Sequence, residues 1–204
     1  MGSVDPFILA GSKFYEGLMQ ELNIEHSLCD WRLFIDSSKY RLKAMLLHIE
    51  NLKPSIPVAH LVTMKETYEN MRTLLDKINY NRYKWQICGD LKVIAILVEL
   101  KGGFAKYCCF LCLWDSRAVN EHYVTKIWPR RSEFQPGSQN VKYVPLVDAK
   151  NVLLTPLHIK LGLIKNFVKA MNKEGEGFKY LRQVFPQLSN DKLKEGIFIG
   201  SQII

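Results

Sequence analysis

Apolar and polar positions change period several times along this chain, and each change marks a predicted element. Phe14, Leu18 and Leu22 recur at four-residue spacing, which predicts a helical lead-in over residues 1–30 that closes in a loop near Ser27 to Asp30. From Trp31 the pattern alternates: Trp31, Leu33 and Ile35 against Arg32, Phe34 and Asp36, a strand that Ser37, Ser38 and Lys39 end in a turn. Tyr40 to His48 reads as a second strand. Ile56 to Thr63 reads as a third, with Pro57 tolerated near its start, where a missing N–H costs the ladder least. Short links between the three predict an antiparallel meander.

Helical spacing returns at Met64, because Met64, Tyr68, Met71, Leu75 and Ile78 share one face while Lys65, Glu69, Arg72 and Asp76 fall off it. Trp85 to Gly89 predicts a short buried strand ending at Asp90. Leu91 to Lys101 follows as a buried helix, stopped by Gly102 and Gly103. Ala105 to Phe110 is a candidate fifth strand. A polar, Trp-containing, basic stretch then runs to about Leu153 with little periodicity. Pro156 opens a last helical region, where Leu157, Leu161, Ile164, Val168 and Met171 form one stripe and Lys165, Lys169 and Lys173 a neighbouring one. Short helices are predicted at Gly177 to Val184 and Asn190 to Gly196.

Composition narrows the class. The chain has 204 residues, 48% hydrophobic and 24% charged, enough apolar material to bury a core, which excludes a disordered chain. Its longest apolar run, Val93 to Val98, is cut off by Glu99 and Lys101, so no segment approaches the roughly 20 residues of a membrane span. Met1 to Ala10 has no basic residue before its apolar stretch, unlike a secretory signal. The five cysteines, three of them at Cys108, Cys109 and Cys112, do not form a spread disulfide framework and point to a reducing compartment, nuclear or cytoplasmic. The net charge of +8 is uneven, because residues 1–30 carry five acids and one lysine. The remaining excess of positive charge suits an anionic partner.

Two acids end predicted apolar strands: Asp36 the first and Asp90 the fourth. If the sheet is wound as in ribonuclease-H-like folds, these strands are parallel neighbours and both carboxylates leave the same edge. Hard oxygen ligands on rigid elements suit Mg²⁺ or Mn²⁺, and such a site can clamp a phosphodiester during phosphoryl transfer. The competing reading is local: Asp36 begins a turn and Asp90 caps the helix at Leu91, as short acids commonly do. Glu66 is a possible third ligand, but its phase opposes the Met64/Tyr68/Met71 stripe, so it reads as an acid favoured at a helix N-terminus.

Cys109 and Cys112 form a C-x2-C pair, with His122 and His158 further along, a ligand set that could hold Zn²⁺. Alternatively Cys108 and Cys109, next to Phe110 in an apolar strand, are core residues. Cys88 and Cys29 also read as core. A nucleophilic cysteine with a histidine base lacks any supporting flanking pattern. Arg117, Lys126, Arg130 and Arg131 are interleaved with Tyr123 and Trp128, and Lys165 and Lys169 follow on a helix. Cations among aromatics suit phosphate backbones and unstacked bases of DNA or RNA, although solvated helix faces have a similar composition.

Taken together, Leu33-Phe34-Ile35-Asp36-Ser37-Ser38-Lys39, Trp85-Gln86-Ile87-Cys88-Gly89-Asp90-Leu91-Lys92, Cys109-Phe110-Leu111-Cys112-Leu113-Trp114-Asp115-Ser116-Arg117 and Pro156-Leu157-His158-Ile159-Lys160-Leu161-Gly162 resemble the catalytic region of transposon-derived proteins related to cut-and-paste DDE/D transposases. The resemblance spans roughly residues 28–204. It implies an α/β fold with a ribonuclease-H-like mixed sheet of about five strands and helices packed on it. It divides the chain into a helical lead-in (1–30), a core (31–112), and a basic insertion with a helical, zinc-binding C-terminal part (113–204). It further implies a metal-dependent DNA strand transferase, with Asp36 and Asp90 matching the first two catalytic acids. Cys109, Cys112 and His158 take the places of a zinc-binding insertion. The family's third acid normally lies on a helix beyond the insertion, and the chain reaches Ile204 before that helix; Asp191 and Glu195 are the late acids on predicted helices. The expectation is therefore a truncated transposase-like core, incomplete as an enzyme. The alternative is a domesticated, non-catalytic DNA- or RNA-binding or protein-interaction module.

Overall fold

In the computed structural model, residues 7–9, 17, 19–21, 28–38, 41–62, 64–101 and 105–198 are described. The chain divides into two compact units, residues 1–153 and 154–204. The first unit carries a sheet built from β1 (Phe7–Leu9), β2 (Trp31–Ser38), β3 (Arg41–His48), β4 (Ile56–Val62), β5 (Gln86–Gly89) and β6 (Val152–Leu154). These lie side by side in the order β1-β4-β3-β2-β5-β6. β2, β3 and β4 pair antiparallel, and β5 runs parallel to β2. The fold is therefore α/β with a mixed open sheet.

The alternating pattern of β2 becomes its two faces. Trp31, Leu33 and Ile35 are buried on one side, in register with His48, Leu46 and Ala44 of β3. Each large aliphatic side chain buried there contributes about 2 kcal/mol of transfer free energy. Asp36 belongs to the other side, is exposed, and stands opposite Lys43. Pro57 lies exposed near the start of β4.

Helices α1 (Tyr68–Lys77), α2 (Tyr80–Tyr83) and α3 (Leu91–Leu97) accompany the sheet. α1 starts at Thr67, whose side chain accepts the Asn70 N–H, and buries Met71, Leu74 and Leu75. α3 packs on β2 and β5, and α1 packs on α3. This short α3 differs from the predicted helix to Lys101. It ends at Leu97 because Glu99 turns left-handed, with φ of 53°, and Leu100 pairs with Val141. Gly102 and Gly103 lie outside the described residues, as do Phe14, Leu18 and Leu22 of the predicted lead-in.

Ala105 to Phe110 does not form the fifth strand. Only an isolated bridge, Tyr107 to Asp115, joins it to a neighbour, and the place beside β5 belongs to β6. The edge strand β1 on β4 and the short helix α2 are further elements that the hydrophobic pattern did not announce.

The second unit is helical: α4 (Pro156–Ala170), α5 (Glu176–Val184) and α6 (Asn190–Lys194). Val168, Phe178, Leu193 and Phe198 form its core, with Leu161, Ile164 and Met171 packed against them. This reproduces most of the stripe read from the sequence. Gly196 has φ of 64° and sits so close to α4 that a Cβ would meet the Lys165 Cα at 2.8 Å. A side chain there is excluded both by conformation and by space. Among the described residues no helix is long and apolar enough to cross a membrane.

Candidate functional site

The parallel pairing of β2 with β5 brings the two acidic strand ends together. Ile35 is in register with Gly89, so the next positions, Asp36 and Asp90, leave the same edge. Gly89 makes this approach possible: a Cβ there would lie 2.8 Å from the Ile35 carbonyl oxygen. An open sheet gathers ligands near the carboxyl ends of its parallel strands. Asp90 directly follows β5, whereas Asp36 lies inside β2, paired with Lys43 two residues before the strand ends, and so does not begin a turn.

Their local roles differ. The Asp36 carboxylate projects from an exposed strand position. Asp90 caps α3, accepting the Val93 N–H on Oδ1 at 2.7 Å. The local reading of Asp90 as a helix cap is thus realised in the structure.

Glu66 also reaches this edge. It accepts a hydrogen bond from the Ser37 hydroxyl and forms an ion pair with Lys92, so it bridges the end of β2 and the first turn of α3. The helical-phase argument against Glu66 does not apply, because Thr67 caps α1 and Glu66 precedes the helix. The Thr67 cap was the signal that could have placed it. Among the described residues, no three His, Cys, Asp or Glu side chains converge closely enough to hold a metal ion.

The cysteine pair lies on a tight turn. Leu111 N–H donates to the Cys109 sulfur at 3.4 Å. The Cys112 sulfur accepts the Trp114 N–H, and the Cys112 thiol bonds to Cys109. Backbone bonds from Leu113 N–H to the Pro129 carbonyl and from Arg131 N–H to the Leu111 carbonyl zip this turn against residues 129–131. Burial and the adjacent Cys109 push the Cys112 thiol up, against the pull of the Trp114 N–H and the Arg131 guanidinium. Two neighbouring sulfurs are half of a zinc ligand set, and a metal would have to displace the proton that burial holds on Cys112.

The other expected ligands are placed differently. His122 Nε2 bonds to the Asp115 carbonyl at 2.7 Å, and its ring stacks on Trp114. It therefore holds its own loop together. The side chain of His158, in α4, lies outside the described ones. Cys88 is buried as read, and burial pushes its thiol up. Cys29 is exposed, contrary to its reading as a core residue, because it lies in a short turn of helix before β2 rather than in the strand.

Of the four candidate phosphate-binding cations named in the aperiodic region, Arg117, Lys126 and Arg130 are exposed. Arg131 is not a surface cation: it is only 8% exposed and donates to the carbonyls of Cys109, Tyr107 and Gln139 and to the Gln139 side chain. Burial lowers its pKa from the ordinary arginine value. On α4, Lys165 is exposed, and Lys169 pairs with Glu195 at 2.7 Å. This pairing holds the Glu195 carboxyl below its usual range. A separate cleft of about 480 Å³, lined by Tyr68, Arg72, Asp76 and Tyr80 among others, contains none of the residues singled out from the sequence.

The chain belongs to the family described as "domain of unknown function (DUF8703)", which matches residues 9–147. Residues 156–204 match a second family, "domain of unknown function (DUF8704)". The gap between the two matches falls where the structure divides into its two units. No curated protein and no solved structure matches the chain.

Proposed function

We propose that this chain is a nucleic-acid-binding core related to metal-dependent DNA strand transferases, with a sheet wound as in ribonuclease-H-like proteins. The main support is the parallel β2–β5 pairing, which aligns Asp36 and Asp90 at one sheet edge. The carboxylates of Asp36 and Asp90 are the groups that would hold Mg²⁺ or Mn²⁺. Such an ion, when bound, supplies Lewis-acid stabilisation of a phosphodiester oxygen. The chain's own contribution is to place one carboxylate on a strand and to hold the other by a helix cap. The partner is DNA, with RNA as the alternative. Exposed Arg117, Lys126, Arg130 and Lys165 would contact its phosphates, in a nuclear or cytoplasmic setting.

The cysteine turn extends the proposal: Cys109 and Cys112 would contribute two ligands to Zn²⁺. Elemental analysis of freshly purified protein tests this. About one zinc per chain, lost in Cys109→Ser, is expected; a metal-free wild type contradicts it.

A second reading has its own observations. Asp90 already caps α3, and Lys92 already neutralises Glu66, which suits a domesticated core that binds nucleic acid without cutting it. Supercoiled plasmid incubated with the protein and Mg²⁺ or Mn²⁺ separates the readings. Nicking that disappears in Asp36→Asn and Asp90→Asn supports the enzyme. Binding without nicking supports the module.

A further inference from the structure

The loop that follows the cysteine turn exposes apolar side chains to an unusual degree. Val119 is 63% exposed, Tyr123 94%, Val124 75% and Ile127 87%, all within nine residues. Loop tips are normally polar, and exposed apolar clusters of this kind mark contact surfaces. Poor order is not the reason for the exposure, since the base of the loop is held by many bonds. His122 stacks on Trp114 at 4.6 Å and meets Trp128 edge-on at 6.4 Å. Thr125 bonds to the Glu121 carbonyl and to its carboxylate. Asp115 receives the Arg117 N–H and an ion pair from Lys106. A rigid base thus presents an apolar tip.

The charges around this tip select its partner. Arg117, Lys126 and Arg130 are exposed and form no ion pair among the described residues, and Glu121 is the one acid between them. An aromatic face and a branched aliphatic wedge flanked by unpaired cations complement bases that have left the helical stack, together with their phosphates.

We propose that the loop Val119–Ile127 is a wedge that binds nucleic acid at unstacked or unpaired bases, with Tyr123 stacking on a base and Ile127 filling the gap it leaves. This rests on the reading of the chain as a nucleic-acid-binding core and specifies the substrate class: distorted or locally opened duplex rather than intact duplex.

The test uses the full chain and two labelled DNA duplexes of one sequence, one fully paired and one with a short central bubble. Binding is followed by fluorescence anisotropy. The bubble is expected to bind about tenfold more tightly, since each stacked base adds sequence-independent affinity. In Tyr123→Ala combined with Ile127→Ser, the preference should vanish while affinity for the paired duplex stays unchanged. Because both side chains are exposed, an unchanged thermal midpoint is expected and confirms that the variant is folded. Equal affinity for the two duplexes in the wild type overturns the wedge and leaves general nucleic-acid binding standing. A preference that survives the double substitution also overturns it. Binding to neither duplex overturns the nucleic-acid reading itself. Capture by phosphatidylserine vesicles without bubble preference, or a dimer in light scattering that the double variant abolishes, assigns the apolar tip to another partner and rejects the proposal.

Discussion

In the sheet, Leu33, Ile35, Leu46 and Ile87 are completely buried, and the backbone satisfies itself through ladder bonds. Between Ala105 and Val147 there is hardly any ladder, and isolated bridges stand in its place. There a buried guanidinium, Arg131, satisfies carbonyls from three separate positions. One region is ordered by apolar area and period, the other by scattered backbone bonds, such as Leu113 N–H to the Pro129 carbonyl, joined by a buried polar side chain. The difference teaches that a basic, aperiodic stretch can be as well organised as a strand pair, provided its backbone acceptors find a donor.

The strongest way to break that contrast is to remove each region's support. Arg131→Met removes the donor from three part-buried carbonyls and should cost about 3 kcal/mol, comparable to about 3 kcal/mol for Leu33→Ala in the sheet. Urea unfolding followed by tryptophan fluorescence measures both, since Trp31, Trp85, Trp114 and Trp128 all lie in the first unit. A cost for Arg131→Met below that of an ordinary surface change would show that the region is ordered by something else.

Gly89→Ala comes next. The new methyl meets the Ile35 carbonyl oxygen, so β2 and β5 must separate, at a cost of about 2 kcal/mol by the same measurement. Asp90→Ala should cost about 1 kcal/mol through loss of the cap on α3, whereas Asp90→Asn keeps the cap and most of the stability. Equal losses for the two substitutions would mean that charge, and not capping, is the local role of Asp90.

Glu99 gives a smaller effect with a definite sign. Burial pushes its carboxyl above the usual range, opposed by Lys142. Because the folded value is raised, its contribution to stability is fully present below the unfolded value and is lost as pH rises through the folded one. Glu99→Gln should therefore stabilise at neutral pH, by about 1 kcal/mol or less, and flatten the stability profile above pH 4.5. Smallest is Lys92→Ala, within about 0.5 kcal/mol, because Lys92 is mostly exposed.

The two regions also differ in how far they could be read in advance. The alternation at Trp31 to Asp36 fixes the strand, its buried face and the exposed side of Asp36. The spacing of Leu161, Ile164 and Val168 likewise fixes the inner face of α4. Arg131 was grouped with its neighbours Arg130 and Lys126 because nothing in its surroundings along the chain distinguishes a buried cation from a solvated one. Its acceptors are backbone carbonyls at Cys109, Tyr107 and Gln139, and carbonyls leave no mark in a sequence. Glu66 was named and then set aside for a different reason: phase has meaning only inside a helix, and the helix begins after it. Ala105 to Phe110 has strand-like composition without a partner, and pairing is decided elsewhere in the chain.

The central claim is that Asp36 and Asp90 form one cation site at the β2–β5 edge. Titration of the full chain with Mn²⁺, followed by the loss of the free-ion electron paramagnetic resonance signal, tests it most directly. The expected result is one bound ion per chain, displaced by Mg²⁺ and abolished in Asp36→Asn and in Asp90→Asn, both of which remain folded. Binding that persists in both variants, or no binding in the wild type, would contradict it.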